Sequence, residues 1–173
     1  MRTLHLLRHA KAAADDPGGD RARPLSDRGQ RAARAIGAWM AERKLAPQLV
    51  LCSSALRTRQ TLALVLPSLA RLPEVLYEDD LYLAEAPALL QRLREVPVRA
   101  ASVLLVGHNP GLHELAVLLA ESDAGAFPKR LAASFPTAAL ASYEVAGDWA
   151  HLDRGSARLA ALITPKELAA GAN

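Results

Sequence analysis

The sequence holds a single cysteine, Cys52. No intrachain disulfide can form, and a reducing compartment suits such a chain. Aromatic residues make up only 4%, too few to interleave with basic residues as platforms for stacked bases. No basic run exists either. The 21 Lys and Arg residues are scattered among 18 Asp and Glu, for a net charge of +3. That pattern describes a solvated mixed-charge surface and excludes a nucleic-acid partner. No stretch approaches the ~20 apolar residues of a bilayer span. His5, Arg8 and His9 interrupt the N-terminal apolar stretch before a signal-peptide core could form. Neither a Walker loop nor a Gly-rich dinucleotide fingerprint is present, which removes ATP and NAD. The expectation is a cytoplasmic protein without a membrane segment. One domain over residues 1–173 is expected, since domains commonly run to roughly 100–200 residues.

What the chain does have is alternation. Thr3 to Leu7, Leu49 to Cys52 and Ser102 to Val106 are short apolar runs that read as buried strands, with Val75 to Tyr77 as a further strand. Ser26 is placed to cap a helix with Asp27 in its first turn, and Ala32, Ala35, Ile36, Trp39 and Met40 follow at helical spacing. Leu56 to Leu69 reads as a second helix, ending near Pro67. Pro87 to Glu95 and Pro110 to Ala120 read as helices opened by proline. Ala14 to Pro24 and Ala124 to Pro136 read as loops, and Leu140 to Val145 as an edge strand; the tail from Arg158 carries no firm signal. Strands alternating with helices imply βαβ units: a three-layer α/β/α fold with a mostly parallel central sheet. Ligands in such sheets bind beyond the carboxyl ends of the strands. Arg8-His9 follows the first strand, Ser53-Ser54 the second and Gly107-His108 the fourth. Three polar clusters therefore converge at one end of the sheet.

Each cluster suits an anion. At Leu6-Leu7-Arg8-His9-Ala10, a neutral imidazole can attack phosphorus, while the adjacent guanidinium holds phosphate oxygens and keeps the ring uncharged. At Val106-Gly107-His108-Asn109-Pro110-Gly111, Asn109 is a candidate helix cap with Pro110 at the first helical position, so free N–H groups and His108 face the ligand. In Ser53-Ser54-Ala55-Leu56-Arg57-Thr58-Arg59-Gln60-Thr61, Ser54 is the candidate cap and Arg57 lies in the first turn, able to point back to the strand ends. Arg59, two residues on, faces elsewhere and reads as a surface charge.

These segments, with Arg-Pro-Leu-Ser-Asp-Arg-Gly at 23–29, resemble the histidine phosphatase superfamily, and most of all its short SixA-type phosphohistidine phosphatases. The four segments come in family order and span most of the chain. The resemblance implies a phosphoglycerate mutase-like fold with a minimal lid. It implies that His9 is phosphorylated during turnover, and that Arg8, Arg57 and His108 bind the phosphoryl group and stabilise its transition state. It adds Arg23 as a further pocket arginine. Where the family often has glycine after the catalytic histidine, this chain has Ala10. Larger members carry an acid in a long insertion. The corresponding stretch here, Glu78 to Glu85, is short, and Glu85 is its candidate acid. A weak acid suits a labile P–N bond better than an ester, whose alkoxide must be protonated. The resemblance therefore implies a phosphohistidine protein as substrate, with no cofactor. The alternatives are an ester phosphatase of the same superfamily, a mutase, and a module that binds phosphoprotein without cleaving it.

Two further chemistries are set aside by spacing. Cysteine phosphatases place five residues between Cys and Arg, whereas four separate Cys52 from Arg57. Of the candidate ligands His5, His9, His108, His113 and His151, His5 lies in a strand interior and His113 in an apolar helix, and neither has a carboxylate at a recognisable ligand spacing, so no required metal is expected.

Overall fold

The computed structural model describes residues 1–171. Its six strands are β1 (Arg2–Arg8), β2 (Leu49–Ser53), β3 (Glu74–Glu78), β4 (Ser102–Gly107), β5 (Leu140–Val145) and β6 (Ala157–Ile163). They form one sheet in the order β3-β2-β4-β1-β5-β6. The pairs β3–β2, β2–β4 and β4–β1 are parallel, while β5 runs antiparallel to both β1 and β6. Only β5 opposes the common direction. The helices are α1 (Asp27–Glu42), α2 (Leu56–Val65), α3 (Ala86–Arg94), α4 (Gly111–Leu119), α5 (Ala126–Ala133) and α6 (Pro165–Gly171).

Strand side chains alternate between two cores, as a period of two requires. Leu4, Leu6, Leu49, Leu51, Val103 and Leu105 join the core built with α3, α4 and Leu131 of α5. Leu7, Val50, Cys52, Leu104 and Val106 join Ala33, Ile36 and Met40 of α1 and Leu62 and Val65 of α2 on the other face. The result is the three-layer α/β/α arrangement that the alternation predicts.

Three local readings are corrected. Ala124 to Pro136 is not all loop, because α5 lies within it. Gly125 and Pro128 look like breakers, but Gly125 is the N-cap and Pro128 falls in the first turn, where no intrahelical donor is needed. Leu140 to Val145 is not an edge strand, since β6 hydrogen-bonds along its outer side. The helix from Leu56 stops at Val65 and tightens into a 3-10 turn over Leu66–Ser68, around Pro67.

The pairing that matters for the site is Arg8 opposite Gly107 and Cys52 opposite Val106. It brings the carboxyl ends of β1, β2 and β4 level, with the three polar clusters side by side.

Candidate active site

His9 leaves the sheet just after β1 and is 9% exposed. Its Nδ1–H donates to the Ala10 carbonyl at 2.8 Å, which leaves the Nε2 lone pair free. Burial pushes its pKa down to about 4; Arg57, Arg8 and Arg23 add to this, against the opposing Ala10 hydrogen bond. His9 is therefore a neutral imidazole at physiological pH. Its ring centroid lies 5.3 Å from that of His108.

Arg57 comes from the first turn of α2, as its position in the sequence suggests, and is 4% exposed. The cap differs from expectation. Ala55 is the N-cap and makes no side-chain cap bond, while the Ser54 hydroxyl donates to Asp79 at 2.5 Å. The helix start is held instead by Thr58, whose hydroxyl lies 2.7 Å from the Ser53 carbonyl and 2.8 Å from that of Ala55. Two other residues of this segment serve the neighbouring turns. Thr61 Oγ1 accepts the Ala10 N–H at 3.0 Å, and Gln60 Oε1 accepts the Leu25 N–H at 2.8 Å. Arg59 is exposed and lies over the Tyr77 ring, as a surface charge should.

His108 follows β4 and is 3% exposed. Its Nε2 shares a 2.7 Å hydrogen bond with Ser53 Oγ, and its buried Nδ1 has no partner among the described residues. Burial and then the charges of His9 and Arg57 lower its pKa to about 3. Asn109 does not cap α4. Pro110 is the N-cap, α4 begins at Gly111, and the Asn109 amide donates to the Phe135 carbonyl at 2.8 Å. Arg8 Nη1 donates to the same carbonyl at 3.2 Å, and its buried Nε is unpartnered. Burial and the nearby Arg57 lower the Arg8 pKa. Like charges crowd here, which suits an anion between them.

Arg23 reaches the cleft. Its Nε and Nη2 donate to the Ala13 carbonyl, and Nη1 pairs with Asp20 at 3.0 Å. The cleft is lined by Arg8, His9, Arg23, Arg57 and His108, with Lys11 and Leu83 at its mouth, and has a volume of about 190 Å³. Glu85 is not among its lining residues. It is exposed at the N-cap of α3. The structure thus brings five of the six predicted residues together and leaves Glu85 outside.

Two residues escaped the sequence reading. Asp20, on a 3-10 turn over Asp20–Ala22, accepts from Arg57 Nη2 at 3.0 Å through Oδ2. The Tyr82 hydroxyl donates to the same Oδ2. Hydrogen bonds from Tyr82 and Arg23 hold the Asp20 carboxyl far below the usual carboxylate range. Tyr82 also packs edge-on against His108, centroids 5.4 Å apart. The one available signal was the Asp20-to-Arg23 spacing of three. Nothing near Tyr82 in sequence points to it.

Cys52 is fully buried and its thiol is pushed up to about 12 by burial, so it is no thiolate nucleophile. His5 lies inside β1 against Ser142, and His113 on α4 donates from Nε2 to the Leu131 carbonyl. No group of three or more His, Cys, Asp or Glu among the described residues could hold a metal ion. No helix among them is long and apolar enough to cross a membrane.

A model of the histidine phosphatase superfamily (branch 1) matches residues 4–82. An uncharacterized protein of Mycobacterium tuberculosis strain H37Rv is 37% identical over 164 residues, 92% of this chain and the whole of the relative. A solved candidate phosphohistidine phosphatase, SixA, from Nakamurella multipartitia superposes with TM-score 0.83 at 34% identity, covering 95% of this chain and 96% of that one. A protein histidine phosphatase SixA complexed with tungstate gives TM-score 0.78 at 25% identity over 96% and 99% of the two chains.

Proposed function

The chain belongs to the histidine phosphatase superfamily, and from that premise we propose that it removes the phosphoryl group from phosphohistidine on a protein, in the cytoplasm, with His9 as nucleophile. The observation that carries the reading is the His9 Nδ1–H bond to the Ala10 carbonyl, 2.8 Å long. It fixes the tautomer and leaves Nε2 as a lone pair, in a cleft that Arg8, Arg23 and Arg57 make cationic.

In the first step the His9 Nε2–P bond forms as the substrate P–N bond breaks, and the substrate imidazole departs with its electron pair. Arg8, Arg57 and His108 hold the equatorial oxygens and offset the developing charge. Ser53 Oγ, 2.7 Å from His108 Nε2, orients the His108 ring at the cleft. In the second step water attacks phosphorus, the His9 N–P bond breaks, phosphate leaves and neutral His9 returns. Arg23 positions the loop edge of the phosphate site through Ala13 and Asp20.

Two features support this substrate class. Glu85 lies outside the cleft, and Asp20 is held ionised, so neither is placed to protonate an alkoxide at neutral pH. A protonated imidazole leaves without such help. The cleft, at about 190 Å³, is also smaller than the ~300 Å³ lower end of small-molecule sites. It takes a phosphoryl group and leaves the rest of the substrate outside. A small-molecule ester phosphatase has no comparable feature in its favour.

The test is phosphate release from a histidine-phosphorylated protein and from an aryl phosphate, for wild type and His9→Ala. The expected result is faster release from the phosphoprotein and none by His9→Ala. Turnover by His9→Ala would sink the nucleophile. A faster rate on the ester would sink the substrate class. Binding of tungstate without hydrolysis of either would leave only a phosphate-recognition module.

A further inference from the structure

Beside the catalytic cleft lies a second, larger concavity of about 530 Å³. Lys11 and Thr137 line both, so the two adjoin. The groove runs past Arg28 on the first turn of α1, Arg130 on α5 and Lys166 beyond β6. Because β6 is antiparallel to β5, and β5 to β1, the end of β6 that leads into Lys166 faces the same way as the catalytic end of β1. No acidic side chain lines the groove among the described residues. Glu167 pairs with Arg130, while Lys11, Arg28 and Lys166 form no ion pair there. Leu162 gives the floor an apolar patch.

We propose that this groove docks an acidic surface of the phosphohistidine-bearing protein, a role that rests on the substrate reading above. Three cations without partners concentrate positive potential next to a cleft that can swallow only the phosphoryl group. The remainder of a protein substrate must lie against the surface surrounding the cleft, and the groove adjoins it at Lys11 and Thr137. Field of this kind raises encounter rates and sets orientation more than it adds to chemistry. The lining contains no aromatic residue, so single-stranded nucleic acid has nothing to stack on. A mixed apolar and cationic trough fits a helical protein face carrying carboxylates.

The experiment uses a small acidic phosphotransfer protein, phosphorylated on histidine with phosphoramidate, and an aryl phosphate. The enzymes are wild type and the double variant Arg28→Glu/Lys166→Glu, neither residue touching the cleft. The expected result is a KM for the phosphoprotein raised by about tenfold or more at low salt, with kcat unchanged and aryl phosphate turnover unchanged. The salt dependence of kcat/KM is expected to flatten in the variant. An unchanged KM on the phosphoprotein, with a folded variant, overturns the groove. The same charge reversals in a His9→Ala background report binding by titration without turnover. Groove-dependent binding there, with no hydrolysis by wild type, keeps the groove and overturns the reaction.

Discussion

Thr61 Oγ1 lies 3.0 Å from the Ala10 nitrogen and accepts its N–H. The same hydroxyl donates to the Arg57 carbonyl one turn earlier, at 2.7 Å. One side chain thereby ties the turn that carries His9 to the helix that carries Arg57. Both partners are buried, so neither can exchange this bond for water. Thr61→Val keeps the shape and removes the acceptor. The expected cost is about 1–3 kcal/mol of stability for the stranded N–H. Catalysis is expected to lose about tenfold or more, because small misplacements of reacting groups are costly. Chemical denaturation and aryl phosphate kinetics check both; full activity in Thr61→Val would show that Arg57 and His9 are aligned by something else.

Asp20 places a carboxylate on two of the arginines that line the cleft, Arg57 and Arg23. A carboxylate and a phosphate compete for the same guanidinium fork. Asp20→Asn removes the competing charge, so inorganic phosphate is expected to inhibit the variant several-fold more strongly than wild type at pH 7. A weaker or equal inhibition constant would rule out competition and leave Asp20 as an anchor for the arginines.

A Cβ at Gly29 would overlap the Lys11 carbonyl oxygen, so α1 sits against the loop that follows His9 with no room for a side chain. Ser26 completes the joint: its Oγ accepts the Gly29 N–H at 3.0 Å and donates to that same carbonyl at 3.1 Å. Gly29→Ala is expected to lose about 1–3 kcal/mol by overpacking against backbone. Gly147→Ala, where an added Cβ meets nothing within 4 Å, is the control and is expected to stay within about 0.5 kcal/mol of wild type. Melting temperatures of the pair decide this.

Buried neutral histidines make stability depend on pH. Burial lowers His5 to about 4 from an ordinary 6.5. Below pH 6.5 the unfolded chain takes up this proton while the folded chain does not, so acid favours unfolding. The stability from a neutral His5 is whole above pH 6.5 and is lost progressively as pH falls to about 4. His9 and His108 act in the same direction. His5→Asn is expected to reduce the slope of unfolding free energy against pH by about 1.4 kcal/mol per unit between those limits. An unchanged slope would mean that His5 titrates normally in the folded protein.

Much of the architecture was legible because it rests on local pattern. The apolar runs at Thr3 to Leu7, Leu49 to Cys52 and Ser102 to Val106 could only be buried strands, and the polar residue after each marked one end of the sheet. The misreadings arose where a local signal has two meanings. Gly125 and Pro128 read as breakers, yet they sit where a helix starts. Ser54 and Asn109 are good capping residues, but tertiary partners, Asp79 and the Phe135 carbonyl, took their side chains.

The site divides in the same way. Arg8, His9, Arg57 and His108 announce themselves by following strands or opening a helix, because strand ends and helix starts are where a parallel sheet presents ligands. Their places after the strands and at the helix start marked them as candidates before any contact was known. Only the tertiary structure decided that Glu85 does not line the cleft and that Asp20 bonds to Arg57 and accepts from Tyr82. These are loop residues, whose positions depend on how separate segments pack rather than on any periodicity. The His9 tautomer likewise depends on a single carbonyl 2.8 Å away, a relation that geometry sets and residue order does not encode.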